Sequence, residues 1–135
     1  MYEQFEHKAD VGVRGLGRTV EKSFEECARA MYAVMTDLSS VKPVKIFNVE
    51  CGAENVEELL VEWLNSLITL TDTHNYFFSE FKVKIENNKL NGSVKGEKIN
   101  PKKHELLTEV KAATYSQLKV FKKGKNWIAQ TVVDV

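Results

Sequence analysis

Glycines at positions 12, 15 and 17 punctuate the stretch Glu6-His7-Lys8-Ala9-Asp10-Val11-Gly12-Val13-Arg14-Gly15-Leu16-Gly17, whose remaining apolar residues read as strand. A strand loses packing at every glycine, so this spacing demands either backbone with φ > 0 or the close approach of another group. His7 and Asp10 precede the glycines and put a ring and a carboxylate at the start of the segment. An aspartate there can face a cation or a polar partner. The other end of the sequence has a matching feature, because the apolar run Thr131-Val132-Val133 leads to Asp134 and Val135. If the first and last strands lie side by side, Asp10, Asp134 and the terminal carboxylate of Val135 converge.

Between these ends the hydrophobic periodicity sets the element order. Tyr2–Phe5 and Val11–Leu16 are short strands. Thr19 caps a helix alone, since Lys22 stands where a capping box needs Glu or Gln. Phe24, Cys27, Ala28, Met31, Val34 and Met35 then form one stripe of an amphipathic helix from Val20 to near Asp37. Ser39–Pro43 is a polar connection, and Lys45–Glu50 is a strand that Gly52 ends. Asn55 caps a second, more apolar helix whose stripe includes Leu59, Leu60, Trp63, Leu64, Leu67 and Ile68. Tyr76–Ile85 is a long strand, Asn87-Asn88 a turn that tolerates positive φ, and Lys89–Glu97 the returning strand. Residues 100–104 form a loop. Leu106–Tyr115 and Gln117–Phe121 have strand-like content, Lys123–Asn126 turns the chain, and Trp127–Val133 is the last strand. The expected class is α+β: one domain over residues 1–135, with two amphipathic helices packed on a largely antiparallel sheet.

With 135 residues, 43% of them apolar, the chain can bury roughly two thirds of its unfolded surface. Nineteen basic and nineteen acidic residues give a formal net charge of zero, so any contact with RNA has to be local. No apolar run approaches the roughly 18 residues of a spanning helix, and Met1–Phe5 lacks a leader pattern, so a cytoplasmic protein without membrane contact is expected. Cys27 and Cys51 do not make a disulfide framework, and Cys27 falls on the apolar stripe. Phosphate-loop, His-Glu-x-x-His, Gly-x-Ser-x-Gly and Cys-x-x-Cys spellings are absent.

The candidate chemistry therefore rests on single residues, each with a plain structural alternative. His7, His74 and His104 are isolated in sequence, and each reads first as a surface or hydrogen-bonded structural histidine. Lys111 sits in Val110–Tyr115, where strand alternation makes it a solvated lysine. Lys119, Lys122, Lys123 and Lys125 could touch phosphate but read first as an exposed hairpin. Trp63 and Trp127 read as core anchors. Asp10, Asp134 and an oxygen of Val135 could hold calcium or another hard divalent cation, which takes about six to eight oxygen ligands including water and main-chain carbonyls. The plainer reading is a turn aspartate and a solvated chain end.

His7–Gly12, Glu97–His104, Val110-Lys111-Ala112-Ala113-Thr114-Tyr115 and Val133-Asp134-Val135 stand in the order typical of the archease family, which the whole chain resembles. Glu58–Asn65 and Phe78–Phe81 also resemble that family's second helix and following strand. The resemblance implies a non-catalytic activator of the GTP-dependent tRNA-splicing RNA ligase, promoting guanylylation and turnover of that partner. Contact with RNA would be indirect or within the complex. It further implies that Asp10, Asp134 and Val135 form a metal site, usually described with calcium. His7, His104 and Lys111 are additional functional candidates. Lys8 replaces a common small hydroxyl residue, setting a positive charge beside Asp10, and Ser116 replaces a common histidine. The competing readings are a stand-alone metal-dependent hydrolase or phosphotransferase using Asp10 and Asp134, with His7 as acid or base, and a general chaperone or RNA-binding module.

Overall fold

The computed structural model describes residues 1–135. Its strands are β1 (Tyr2–His7), β2 (Asp10–Gly17), β3 (Lys45–Gly52), β4 (Tyr76–Glu86), β5 (Lys89–Lys98), β6 (Ala112–Ala113), β7 (Lys119–Lys123) and β8 (Asn126–Asp134). The helices are α1 (Val20–Met35) and α2 (Val56–His74). Both begin where a side chain can serve the orphan amides of a first turn. Thr19 Oγ1 accepts from Lys22 N at 3.1 Å, and Asn55 Oδ1 from Glu58 N at 2.8 Å. α2 ends at Asn75, whose φ of 60° is the left-handed conformation that closes helices.

The α+β class holds, and every strand pair is antiparallel, but the strands divide into two sheets. One runs β1-β2-β8, with β6 and β7 following one another along the far edge of β8; the other runs β3-β5-β4. The sheets stay separate because α1 covers the open edge of β4. Glu25 Oε2 accepts the Val83 amide at 3.0 Å, and Arg29 Nη1 donates to Ser79 O at 3.0 Å, so polar helix side chains satisfy backbone groups that a further strand would otherwise take. Glycine spacing in β2 serves the other side of α1. A Cβ on Gly15 would run into Ser23 O and Cys27 N, so the helix backbone lies directly on the strand there.

α1 and α2 share a core with both sheets. Trp63 is fully buried, and its indole N–H donates to Phe24 O at 3.1 Å. The Tyr32 hydroxyl meets Leu67 O at 3.1 Å and Thr71 Oγ1 at 2.7 Å, which ties the two helices by polar as well as apolar contact. Cys27 is buried as its place in the stripe predicts, and both cysteines are free. The Asn87-Asn88 turn has φ of 52° and 58°, as a tight hairpin between β4 and β5 requires.

Strands β1, β2 and β3 run one or two residues longer than expected, and three elements differ in kind or extent. α1 stops at Met35, because Asp37 caps a separate short 3-10 turn over Leu38–Ser40. The expected strand Leu106–Tyr115 is reduced to Ala112–Ala113. Around it the segment is held by single bonds: Leu107 N donates to Met35 O at 2.9 Å, Lys111 N to Asp134 O at 2.8 Å and Thr114 N to Val132 O at 3.0 Å, while Asn65 brackets Ala113, accepting from its N at 2.8 Å and donating to its O at 3.4 Å. The expected strand Gln117–Phe121 starts later, at Lys119, since Gln117 adopts a φ of 55°.

Candidate metal site at the paired strand ends

β1 and β2 form a hairpin in which His7 pairs with Asp10 across Lys8-Ala9, and Lys8 takes a φ of 54°. β2 then pairs with β8 from Gly17↔Trp127 to Val11↔Val133. One step further along that register, Asp10 stands opposite Asp134. On the far side of β8, Asp134 pairs with Ala112, and Lys111 N donates to Asp134 O at 2.8 Å. Directly opposed residues of neighbouring strands present their side chains on the same face. Two carboxylates from opposite ends of the sequence are thereby brought to one end of one sheet face. Both retain solvent access, Asp134 more than Asp10.

The donor set fits a hard cation and not a soft one. No group of three or more His, Cys, Asp or Glu side chains is placed to hold a metal ion, so a site here needs main-chain oxygens and water beside the two aspartates. Val135 is partly buried, with its side chain against the core, and supplies a main-chain oxygen next to Asp134. His7 does not complete a three-side-chain cluster with the aspartates, although its Nδ1 is buried without a hydrogen-bond partner. Lys111 is exposed and enters through its backbone amide. Lys8 lies in the hairpin turn beside Asp10, and Ser116 contributes a main-chain carbonyl that accepts from Val132 N at 3.1 Å.

His104 lies elsewhere. It is buried against the edge of Phe77, with ring centroids 5.7 Å apart. Its Nδ1 accepts from Asn100 N at 3.0 Å, so Nε2 carries the proton and donates to Glu97 Oε2 at 2.9 Å. Glu97 also receives Lys103 Nζ at 2.9 Å and Lys42 N at 2.8 Å. Desolvation alone would raise the Glu97 carboxyl, but the hydrogen bonds from Lys103, Lys42 and His104 outweigh it and hold its pKa at about 2. This network closes the loop after β5. His104 stands alone among the histidines in sequence, and the acid seven residues before it, across an Asn-Pro turn, is the signal for this pairing.

A group whose folded pKa is depressed stabilises the fold above its unfolded value and loses that contribution as pH falls through the folded one. Glu97→Gln is therefore expected to lower the urea midpoint near neutral pH, with the gap to wild type closing between about pH 4.5 and 2. Urea titrations of both proteins across that window test this; a gap independent of pH would assign Glu97 a packing role only.

Neither cysteine is poised as a nucleophile. Burial pushes the Cys27 thiol up to about 12, and burial with the nearby Glu62 charge pushes Cys51 up to about 11, so neither offers a thiolate at neutral pH. No helix is long and apolar enough to cross a membrane.

Fold and site together define a class: a small α+β protein with two antiparallel sheets and opposed aspartates where its terminal strands meet. Residues 2–135 match the Archease protein family (MTH1598/TM1083), and the chain belongs to that family. It is 42% identical to the protein archease of Sulfurisphaera tokodaii over 99% of this chain and 98% of that one, and 38% identical to that of Pyrococcus abyssi with the same coverage. The solution structure of Methanobacterium thermoautotrophicum protein 1598 superposes with a TM-score of 0.87 at 36% identity, covering 99% of this chain and 98% of that one. A Thermotoga maritima archease, described as a possible chaperone, shares the fold at a TM-score of 0.65 and 24% identity, covering 100% of this chain and 98% of that one.

Proposed function

We propose that this protein activates a GTP-dependent tRNA-splicing RNA ligase, promoting its guanylylation and multiple turnover, and that Asp10, Asp134 and a main-chain oxygen of Val135 hold a divalent cation, calcium first. Family membership supports a partner-assisting role, and the ligase is the partner that the resemblance implies. The observation that carries the site is the β2–β8 register, whose last pair, Val11 with Val133, stands next to Asp10 and Asp134 although those two residues lie at opposite ends of the sequence. Like charges directly opposed across a sheet are unfavourable unless something binds between them. When bound, such a cation supplies positive charge that can neutralise phosphate oxygens. The chain's own contribution is positional: the β1–β2 hairpin fixes Asp10, the β8 ladder and the Lys111 amide fix Asp134, and both face solvent where a partner can reach them.

The test is multiple-turnover RNA ligation and guanylylation by the ligase from the same source, with and without this protein, and with Asp134→Ala. Stimulation by wild type that the variant loses supports the reading. No stimulation by wild type overturns it, and turnover by the isolated protein would favour the hydrolase reading instead.

A further inference from the structure

The five-stranded sheet has two faces, and only one belongs to the core. Val13, Val120, Ala129 and Val133 point inward to the helices. Alternate residues point outward, where Leu16 stands opposite Ile128 and Ile128 opposite Phe121. Phe5, Leu16 and Ile128 are only partly buried and Phe121 is 39% exposed, and none of them joins the core cluster. The outer face thus carries one apolar row, Leu16–Ile128–Phe121, near the β7–β8 hairpin end, and the residues of that row stay outside the core.

Its charge is segregated. From Val110 to Val133 the sequence has no Asp or Glu, yet it carries Lys111, Lys119, Lys122, Lys123 and Lys125, none of which makes a salt bridge. Along β7 the outward positions alternate cation, ring, cation: Lys119, Phe121, Lys123. In the next row, Arg14 stacks over the Phe5 ring at 4.7 Å and is fixed by Glu3 and Gln130 at 2.9 Å each. A second ring from the acid-free segment, Tyr115, is 62% exposed where residues 114–116 run beside Val132. On a chain of zero net charge, such concentration on one hairpin means the compensating acids lie elsewhere.

We propose that this outer face, from the β7–β8 hairpin across Phe121 and Ile128, binds single-stranded RNA directly, lysines meeting phosphates while Phe121 stacks on a base. An acidic protein surface could pair with the lysines, whereas a single strand offers phosphates to the lysines and a base face to the ring between them in one ligand. Unpaired bases have π-faces that stack on aromatics whatever their sequence, and a basic face with exposed rings is the arrangement that captures them. The proposal goes beyond the ligase reading and stands without it, because it concerns the isolated protein and a different end of the sheet from the aspartates.

The experiment is fluorescence anisotropy of a labelled single-stranded RNA of about 12 nucleotides with the full chain, titrated at several salt concentrations. Wild type is expected to bind at low salt and to weaken as salt rises, with a log–log slope near −0.7 per neutralised phosphate. Lys119→Gln with Lys123→Gln should make that slope shallower by about 1.4, and Phe121→Ala should weaken binding roughly ten-fold with the slope unchanged. Thermal unfolding of each variant verifies that these exposed positions leave the fold intact, and Lys84→Gln on the other sheet should bind as wild type. Absence of binding at low salt, binding indifferent to Phe121→Ala, or equal binding of a polyglutamate peptide would each overturn RNA as the occupant.

Discussion

Gly15→Val is expected to cost at least about 3 kcal/mol of folding free energy, the upper end of what overpacking costs in a core that cannot yield. The atoms a side chain would meet at this position are main-chain atoms of α1, Ser23 O, Cys27 N and Glu26 C, and they cannot rotate away. To make room, α1 has to lift from β2, and α1 is also the element that covers the edge of β4 through Glu25 and Arg29. Strain at one glycine is thereby passed to both sheets. Gly52→Ala is the control: a Cβ there meets only ordinary contacts, at 3.6 Å from Asn88 O and 3.7 Å from Lys89 Cγ. It is expected to fall within about 1 kcal/mol of wild type, on the stabilising side if loss of chain entropy in the unfolded state dominates. Urea unfolding of the two variants separates the explanations. Equal effects would mean that the β2 glycines matter for chain flexibility and not for helix approach.

Much of this arrangement is legible in the residues. The two stripes, the caps at Thr19 and Asn55 and the Asn87-Asn88 turn are local patterns, and each appears where the pattern lies. The pairing of the terminal strands follows from the glycines of β2 and the apolar run of β8, which need one another to be covered. Less visible is the division into two sheets. It depends on Glu25 and Arg29, which lie off the apolar stripe of α1 but whose side chains reach backbone groups of β4. The segment from Leu106 to Tyr115 misleads for a related reason. Its β-rich composition calls for a ladder, yet β7 already occupies the edge of β8 from Asn126 to Gln130, which leaves only Ala112 and Ala113 beside Asp134 and Val133. Val110 instead plugs the core, while Leu106 and Leu107 stay exposed. The same competition moves Lys111 out of regular strand and leaves its amide, not its side chain, at the candidate site.

Removing one of the opposed charges gives the sharpest test of that site, because its effect should change sign with calcium. In chelator, neither Asp10 nor Asp134 is in a salt bridge, and like charges opposed across a strand pair destabilise by roughly 0.2–1 kcal/mol. Asp10→Asn should therefore melt at or slightly above wild type there. With calcium at about 100 times its dissociation constant, a cation bound only by the folded protein adds about 2.7 kcal/mol to wild type, roughly 8–12 °C in Tm for a chain of this size. Asn in place of Asp10 keeps an oxygen donor but removes the charge, so most of that gain should vanish and the order of the two proteins should invert. Asp134→Asn is expected to repeat the inversion, whereas Glu97→Gln, away from the site, should shift with calcium as wild type does. The inversion does not depend on any partner enzyme, so it separates cation binding from ligase activation. A wild-type Tm unmoved by saturating calcium, magnesium and manganese would remove the metal site, leaving Asp10 as a turn residue and Asp134 as a solvated strand end.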